Sequence, residues 1–299
     1  MSRSGLWISL LAAALPLACV QLPTLDDLIL HPSLNMKQVP TDLGYQYQEV
    51  ALPVGQTRSV VIWHVFAEKP KAVVLVLPGA DGNKGRYLEA LPILVPNGYD
   101  VILMDYEGFG TSPGAATLGH LVDDAFAASA YALGQHKKVF VFGPSLGAPL
   151  AARVAADLPF TGCILEGTVI LNEEAKLWLV DNNLPIPFLW NLANLFICLQ
   201  TPEDYDTLKY IRLVDEPKLV MHSTEDEVAP YEGALRVFAA APPPKDFWEM
   251  RGGHGQMIRL QTDLYTSKLV GWLNLHTGHA DEPVTLPQQD AALPVPGNP

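Results

Sequence analysis

"KVFVFGPSLGAPLAARVA", residues 138 to 155, carries an apolar, β-branched and aromatic run into a serine held between glycines, then into an alanine-rich amphipathic pattern. That order predicts Ser145 on a sharp turn between a buried strand and a helix, where free N–H groups at the helix start favour a developing negative charge. Gly143 and Gly147 leave room for a strained backbone at the serine, and Pro149 is tolerated in a first helical turn. The chemistry suggested is acyl transfer. A serine hydroxyl is a poor nucleophile until an imidazole takes its proton, and the imidazole needs an acid to fix its tautomer and stabilise its cationic form. His254 in "RGGHG" and Asp226 in "STEDEVAP" are of the required types. Taken singly they have plainer readings, a turn histidine between glycines and a solvated helix-start cap. A glycine-x-serine-x-glycine string alone arises by chance in roughly one chain in ten of this size, so the elements around it decide its weight.

Those elements alternate. "AVVLVLPG", "DVILMDYEG", "KVFVFGPS", "GCILEG", "KLVMHSTED" and "DFWEMRGG" are short continuous apolar runs ending in glycine or polar residues, the pattern of strands buried on both faces. Between them, "TLGHLVDDAFAASAYALG", "SLGAPLAARVAADL", "YEGALRVFAA" and "GQMIRLQTDLYTSKLVGWLNLH" repeat apolar residues at helical spacing. The fold class is therefore α/β, a mostly parallel, doubly wound sheet covered on both sides. "YQEVAL" and "RSVVIWHVFAE" around "PVGQT" predict an antiparallel hairpin ahead of it. Asp226 and His254 each follow a predicted strand, as convergence above one sheet edge requires.

The body runs over 45–278, with a polar spacer at 20–44 before it and a disordered Pro-rich tail at 279–299 after it. At about 170–205 the alternation is interrupted by a segment rich in Trp, Leu and Phe and broken by Pro185 and Pro187, which reads as a helical cap over the strand ends. Its Trp178, Phe188, Trp190 and Phe196 either contact an acyl or aromatic group or pack the cap onto the sheet.

In chain order, "LVLPGADGN", "LMDYEGFGTSPG", "GPSLGA", "LEGTV", "STEDEVAP" and "RGGHG" resemble the α/β-hydrolase superfamily from about residue 45 to 275, most closely its serine aminopeptidase-like or acyl-hydrolase-like branch. The resemblance implies a triad in the order serine, acid, histidine, supplied here by Ser145, Asp226 and His254. It implies an oxyanion hole from the backbone N–H groups of Leu146 and Ala80. Glu166 is the rival acid, since it also ends a strand and some members place their acid there. Asp105 reads as a turn stabiliser and His222 as a hydrogen-bonded core histidine. The chain departs from the family pattern at Pro78, where many relatives have histidine, and at Glu107, where arginine is frequent. Esters, thioesters, peptides and amides all proceed through the acyl-serine chemistry implied. Carboxylic esters or thioesters are the expected small-molecule substrates, with a peptidase or amidase, or a weakly active scaffold on the same fold, as the alternatives.

Of the 299 residues 49% are hydrophobic and 17% charged, which fits a large core. Lys and Arg total 19 against 32 Asp and Glu, and the net charge of -13 excludes nucleic acid as a partner. No spacing of Cys and His suggests a metal. "PGADGNKG" matches neither the Walker nor the dinucleotide pattern, so no cofactor is expected. Residues 1–19 have the layout of an export signal: one arginine, the apolar "LWISLLAAALPLA", then Cys19. "LPLAC" resembles the bacterial lipoprotein signal, with Leu15 one position early, and implies a lipidated Cys19 and a membrane-attached protein of the cell envelope. Cleavage near Ala14 or Ala18, giving a periplasmic or secreted protein, and an uncleaved anchor are the competing readings. Cys163 and Cys198 would then be left, either paired or as two core thiols.

Overall fold

The computed structural model describes residues 24–171, 173 and 201–287. The strands in chain order are β1 (His31–Pro32), β2 (Tyr47–Val54), β3 (Arg58–Val65), β4 (Ala72–Val76), β5 (Asp81–Gly82), β6 (Tyr99–Asp105), β7 (Val139–Pro144), β8 (Gly162–Glu166), β9 (Lys218–Ser223) and β10 (Lys245–Met250). An apolar run without alternation can bury both faces only inside a covered sheet. β4, β6, β8 and β9 are accordingly buried at every residue, whereas β2 and β10 mix exposed and buried positions; the burial on both faces expected of "DFWEMRGG" fails because β10 is an edge strand, buried only at Met250. Eight strands form one sheet in the order β10-β9-β8-β7-β4-β6-β3-β2. Its pairings are parallel from β10 through β6 and antiparallel at β6·β3 and β3·β2. The mostly parallel α/β sheet and the leading hairpin stand as the sequence predicts.

Successive residues of a strand point to opposite faces, and this divides the core in two. Val73 and Leu75 of β4 join the layer that holds α3 (Leu118–Gln135) and α4 (Gly147–Ala155), while Val74 and Val76 join the layer holding the helix Thr262–Thr277. That last helix was expected to continue from residue 255. The chain instead breaks at Gln261 (φ -135°, ψ 40°), leaving a short helix Met257–Leu260 ahead of it. The 3-10 and α turns of Lys84–Asn97, interrupted by Pro92 and Pro96, were not anticipated, because two prolines hide the period.

The segment read as a spacer is part of the body from Thr24 onward. Thr24 caps α1 (Leu25–Ile29) in a reciprocal box with Asp27, Leu25 is buried, and β1 pairs with β5. The described start of the expected tail is likewise tied down: Asn97 donates to the Thr285 carbonyl at 2.8 Å and accepts from the Thr285 N–H at 2.8 Å, and Lys71 pairs with Glu282 at 2.5 Å. Residues 1–23, most of the cap including Trp178, Phe188, Trp190, Phe196 and Cys198, and residues 288–299 lie outside the described residues. Cys163 is a buried free thiol, its pKa pushed up to about 12 by that burial. Among the described residues no helix is long and apolar enough to cross a membrane.

Asp105 ends β6 as the turn stabiliser the sequence suggests. Its carboxylate accepts from the N–H of Lys84 at 2.7 Å, from the Lys84 Nζ at 2.5 Å and from the N–H of Thr111 at 2.9 Å. Both charged side chains are fully buried. Removing one member of such a pair strands the other charge without water. Asp105→Ala is expected to lower unfolding stability by about 3–5 kcal/mol, measured by urea denaturation; a change below about 1 kcal/mol would contradict a dry pair.

Candidate active site

Ser145 follows β7 with φ 53°, the single described non-glycine residue at positive φ. The turn is tight enough to exclude side chains at its flanks. A Cβ on Gly143 would sit 2.1 Å from the Gly147 carbonyl oxygen, and one on Gly147 would sit 1.9 Å from that of Leu77. The Ser145 N–H donates to the Glu166 carbonyl at 2.8 Å, fixing the strained residue against the end of β8.

Asp226 and His254 come to this serine from the loops after β9 and β10. His254 Nε2 lies 2.9 Å from Ser145 Oγ, and its Nδ1 lies 2.8 Å from Asp226 Oδ2. Gly252 and Gly255, at φ 106° and 69°, let the loop double back around the histidine. The other Asp226 oxygen accepts from the N–H groups of Val228 at 2.9 Å and Ala229 at 2.8 Å. Burial disfavours the charged carboxylate, but its bonds to His254 and these two amides outweigh burial and hold the group below the ordinary carboxylate range. Asp226 is thus ionised at neutral pH, the state that orients the Nδ1–H of the imidazole.

Glu166 is aimed elsewhere. Its carboxyl accepts from the Tyr265 hydroxyl at 2.5 Å, and burial pushes its pKa up to about 7. His222 is the hydrogen-bonded core histidine expected from sequence: Nδ1 accepts from the Thr168 N–H at 3.1 Å and Nε2 donates to the Ala229 carbonyl at 2.9 Å. Burial depresses its pKa, so it stays neutral and in one tautomer. It thereby ties the acid loop to the segment after β8.

Ala80 lies in the loop after β4 and Leu146 directly follows the serine. Among the described residues, neither backbone N–H finds an acceptor. The loop around Ala80 is braced by Tyr106, whose hydroxyl donates to the Pro78 carbonyl at 3.1 Å, and by Tyr87, whose hydroxyl accepts from the Gly79 N–H at 2.6 Å. Glu107, where the chain departs from the family pattern, pairs with Arg58 at 3.0 Å and His120 at 2.9 Å.

Three neighbours of the site escaped the sequence reading. Gly167, at φ 53°, lies where a Cβ would come within 3.1 Å of His254 Cε1 and 3.6 Å of Asp226 Oδ2. Tyr265 and Tyr87 belong to helical stretches whose other residues give no sign of reaching the site. The glycine in "LEGTV" is the one signal that was available, since a bare position behind a strand end marks a close approach. Among the described residues no cluster of His, Cys, Asp or Glu side chains is arranged to hold a metal ion.

Residues 68–207 match the family model described as serine aminopeptidase, S33. An uncharacterized protein of Mycobacterium tuberculosis is 30% identical over 186 residues, covering 60% of this chain and 62% of that protein. The lysophosphatidylserine lipase ABHD12 of Mus musculus is 26% identical over 209 residues, covering 64% of this chain and 50% of the lipase. The matched part of the chain therefore spans between half and two thirds of these relatives' length. Among solved structures, the Pyrococcus furiosus esterase Pf2001 superposes with a TM-score of 0.69 at 18% identity, over 84% of this chain and 98% of the esterase. The sheet order, the turn at Ser145 and these likenesses together give the chain the α/β-hydrolase fold.

Proposed function

We propose that the protein is a serine hydrolase that cleaves carboxylic esters or thioesters through an acyl-enzyme, with Ser145 as nucleophile, His254 as general base and acid, and Asp226 as the orienting carboxylate. The observation that carries this reading is the unbroken hydrogen-bonded line from Ser145 Oγ through both nitrogens of His254 to Asp226, with steps of 2.9 and 2.8 Å. Ser145 Oγ adds to the acyl carbonyl as its proton passes to Nε2. The carbonyl oxygen, now anionic, is held by the N–H groups of Ala80 and Leu146. Collapse expels the alcohol or thiol, which takes the proton from Nε2, and water repeats the sequence to release the acid. Each amide donor contributes about 2.7–4 kcal/mol to such a transition state.

Ester substrates are favoured over amides because the mouse relative is a lysophosphatidylserine lipase and the superposing structure is an esterase. The serine aminopeptidase description of the matching family keeps the amidase reading in view, and p-nitrophenyl esters of rising chain length screened beside aminoacyl amides separate the two. The layout of residues 1–19 supports export, and "LPLAC" supports a lipidated Cys19 that attaches the enzyme to a bacterial envelope membrane.

A fluorophosphonate probe is expected to add once to the wild-type protein and not to Ser145→Ala, read by intact mass. The same spectrum of envelope-purified protein should begin at a lipid-bearing Cys19. No adduct on folded protein would favour the scaffold reading, and an unmodified first residue would remove the lipoprotein one.

Asp226→Asn is expected to lower kcat by about four orders of magnitude, because the imidazole loses the partner that fixes its tautomer. Glu166→Gln should lower it far less, and the reverse ranking would make Glu166 the acid.

Glu166 also has a signature in stability. Its folded value of about 7 lies above its ordinary 4.5, so between those values only the unfolded chain ionises, and stability falls as pH rises through that window. The full effect is roughly 3 kcal/mol. Glu166→Gln removes it, so the variant's melting temperature relative to wild type should be higher at pH 8 than at pH 5. An equal difference at both pH values would show that the carboxyl ionises as it does in water.

A further inference from the structure

The segment from Leu25 to Leu43 crosses the carboxyl end of the sheet. Leu25 and Leu30 are buried in the core layer on one face, whereas Met36, Val39 and Leu43 pack against the layer on the other. Between these anchors the strap lies along the loop that carries Ala80. The His31 N–H donates to the Ala80 carbonyl at 2.8 Å and the Ser33 N–H to the Gly82 carbonyl at 2.8 Å. Asn83 donates back to the carbonyls of Ser33 at 3.0 Å and Asn35 at 3.1 Å, and the Gly110 N–H donates to Ser33 at 3.1 Å. The near end is held by Asp26, whose carboxylate accepts the Leu118 N–H at 2.8 Å at the start of α3. The side chains of His31 and Pro32 are exposed, so the backbone of β1 makes this contact with little help from its side chains.

From this geometry we infer that the strap is a positioning element of the active site: β1 fixes the Ala80 carbonyl and so sets the direction of the Ala80 N–H. The inference rests on the reading of Ala80 as an oxyanion donor. The Ala80 N–H belongs to the rigid Gly79–Ala80 peptide, which lies between the peptide held through the Gly79 N–H and the one held through the Ala80 carbonyl, so clamping both neighbours limits how far it can turn. The remaining contacts on this loop, from Tyr106 to Pro78 and from Gly79 to Tyr87, restrain the peptides before Ala80 and leave its own carbonyl to His31. Preorganised donors lower the barrier because they need no rearrangement when charge develops.

His31→Pro deletes the one N–H involved. Leu30 already has φ -94° and ψ 121°, the extended conformation that a following proline demands. His31→Ala keeps the N–H and serves as the control. In the full chain, with a p-nitrophenyl ester as substrate, His31→Pro is expected to lower kcat about ten- to a hundredfold with KM unchanged. Its affinity for a trifluoromethyl ketone that forms a tetrahedral adduct should fall by the same factor, and its affinity for the carboxylate product should hold. His31→Ala should match wild type in all three. If His31→Pro does not fold, the α-hydroxy acid analogue of histidine placed at position 31 by nonsense suppression deletes the same N–H without a ring and is read the same way. Wild-type kcat and ketone affinity in the folded proline variant overturn the strap while leaving the hydrolase reading intact, as does an equal loss of ketone and product binding. Turnover that survives Ser145→Ala overturns the hydrolase reading itself, and the strap's role with it.

Discussion

The contact between Gly147 and the carbonyl of Leu77 governs the rest of the site. A methyl group there would lie 1.9 Å from that oxygen, so the first turn of α4 rests directly on the end of β4 with no side chain between them. Two separate parts of the chain are thereby held at backbone distance: the turn bearing Ser145 and Leu146, and the loop bearing Ala80. The positive φ of Ser145 follows from the same closeness, since the strand must reverse into the helix within a few residues. Strain of this kind persists only where surrounding structure over-determines it, and here the Glu166 carbonyl and two bare glycines do so.

The sheet order then sets how the other groups arrive. β4, β7, β8, β9 and β10 are consecutive neighbours and parallel, so the loops carrying Ala80, Ser145, Gly167, Asp226 and His254 leave the same edge side by side. Close approach at this edge requires small or neutral neighbours. Gly167 supplies bare backbone beside the imidazole of His254, and His222 supplies a buried ring that stays uncharged beneath the acid loop. A charged group in that place would compete with His254 for the Asp226 carboxylate, whose oxygen is already 3.7 Å from His222 Nε2.

The parts legible in the sequence were those with a strong local signature. Continuous apolar runs marked β4, β6, β7, β8, β9 and β10, and the resemblance to α/β-hydrolases singled out Ser145, Asp226 and His254, with Glu166 as rival acid; the first three are the side chains that meet. Contacts made by one side chain reaching from one element to another left no such trace. Nothing in "RYLEALPILV" says that Tyr87 reaches Gly79, and nothing around Tyr265 says that its hydroxyl reaches Glu166. The polar look of residues 24–44 also misled. Their hold on the body comes from backbone N–H and carbonyl groups, which every residue type carries, and from a few buried leucines too sparse to show a period. Thr285 was missed for the same reason, because the amide of Asn97 grips its main chain.

The Asn97 clasp also fixes where the chain departs from the body. Asn97 stands just before β6 begins, at the amino side of the parallel strands, whereas Asp26 stands at the start of α3, on their carboxyl side. The two described termini consequently leave through opposite poles. Asp26 thus lies on the side of the sheet that bears Ser145 and Thr285 on the opposite side, so a fluorescent label attached at residue 285 would lie away from the candidate site.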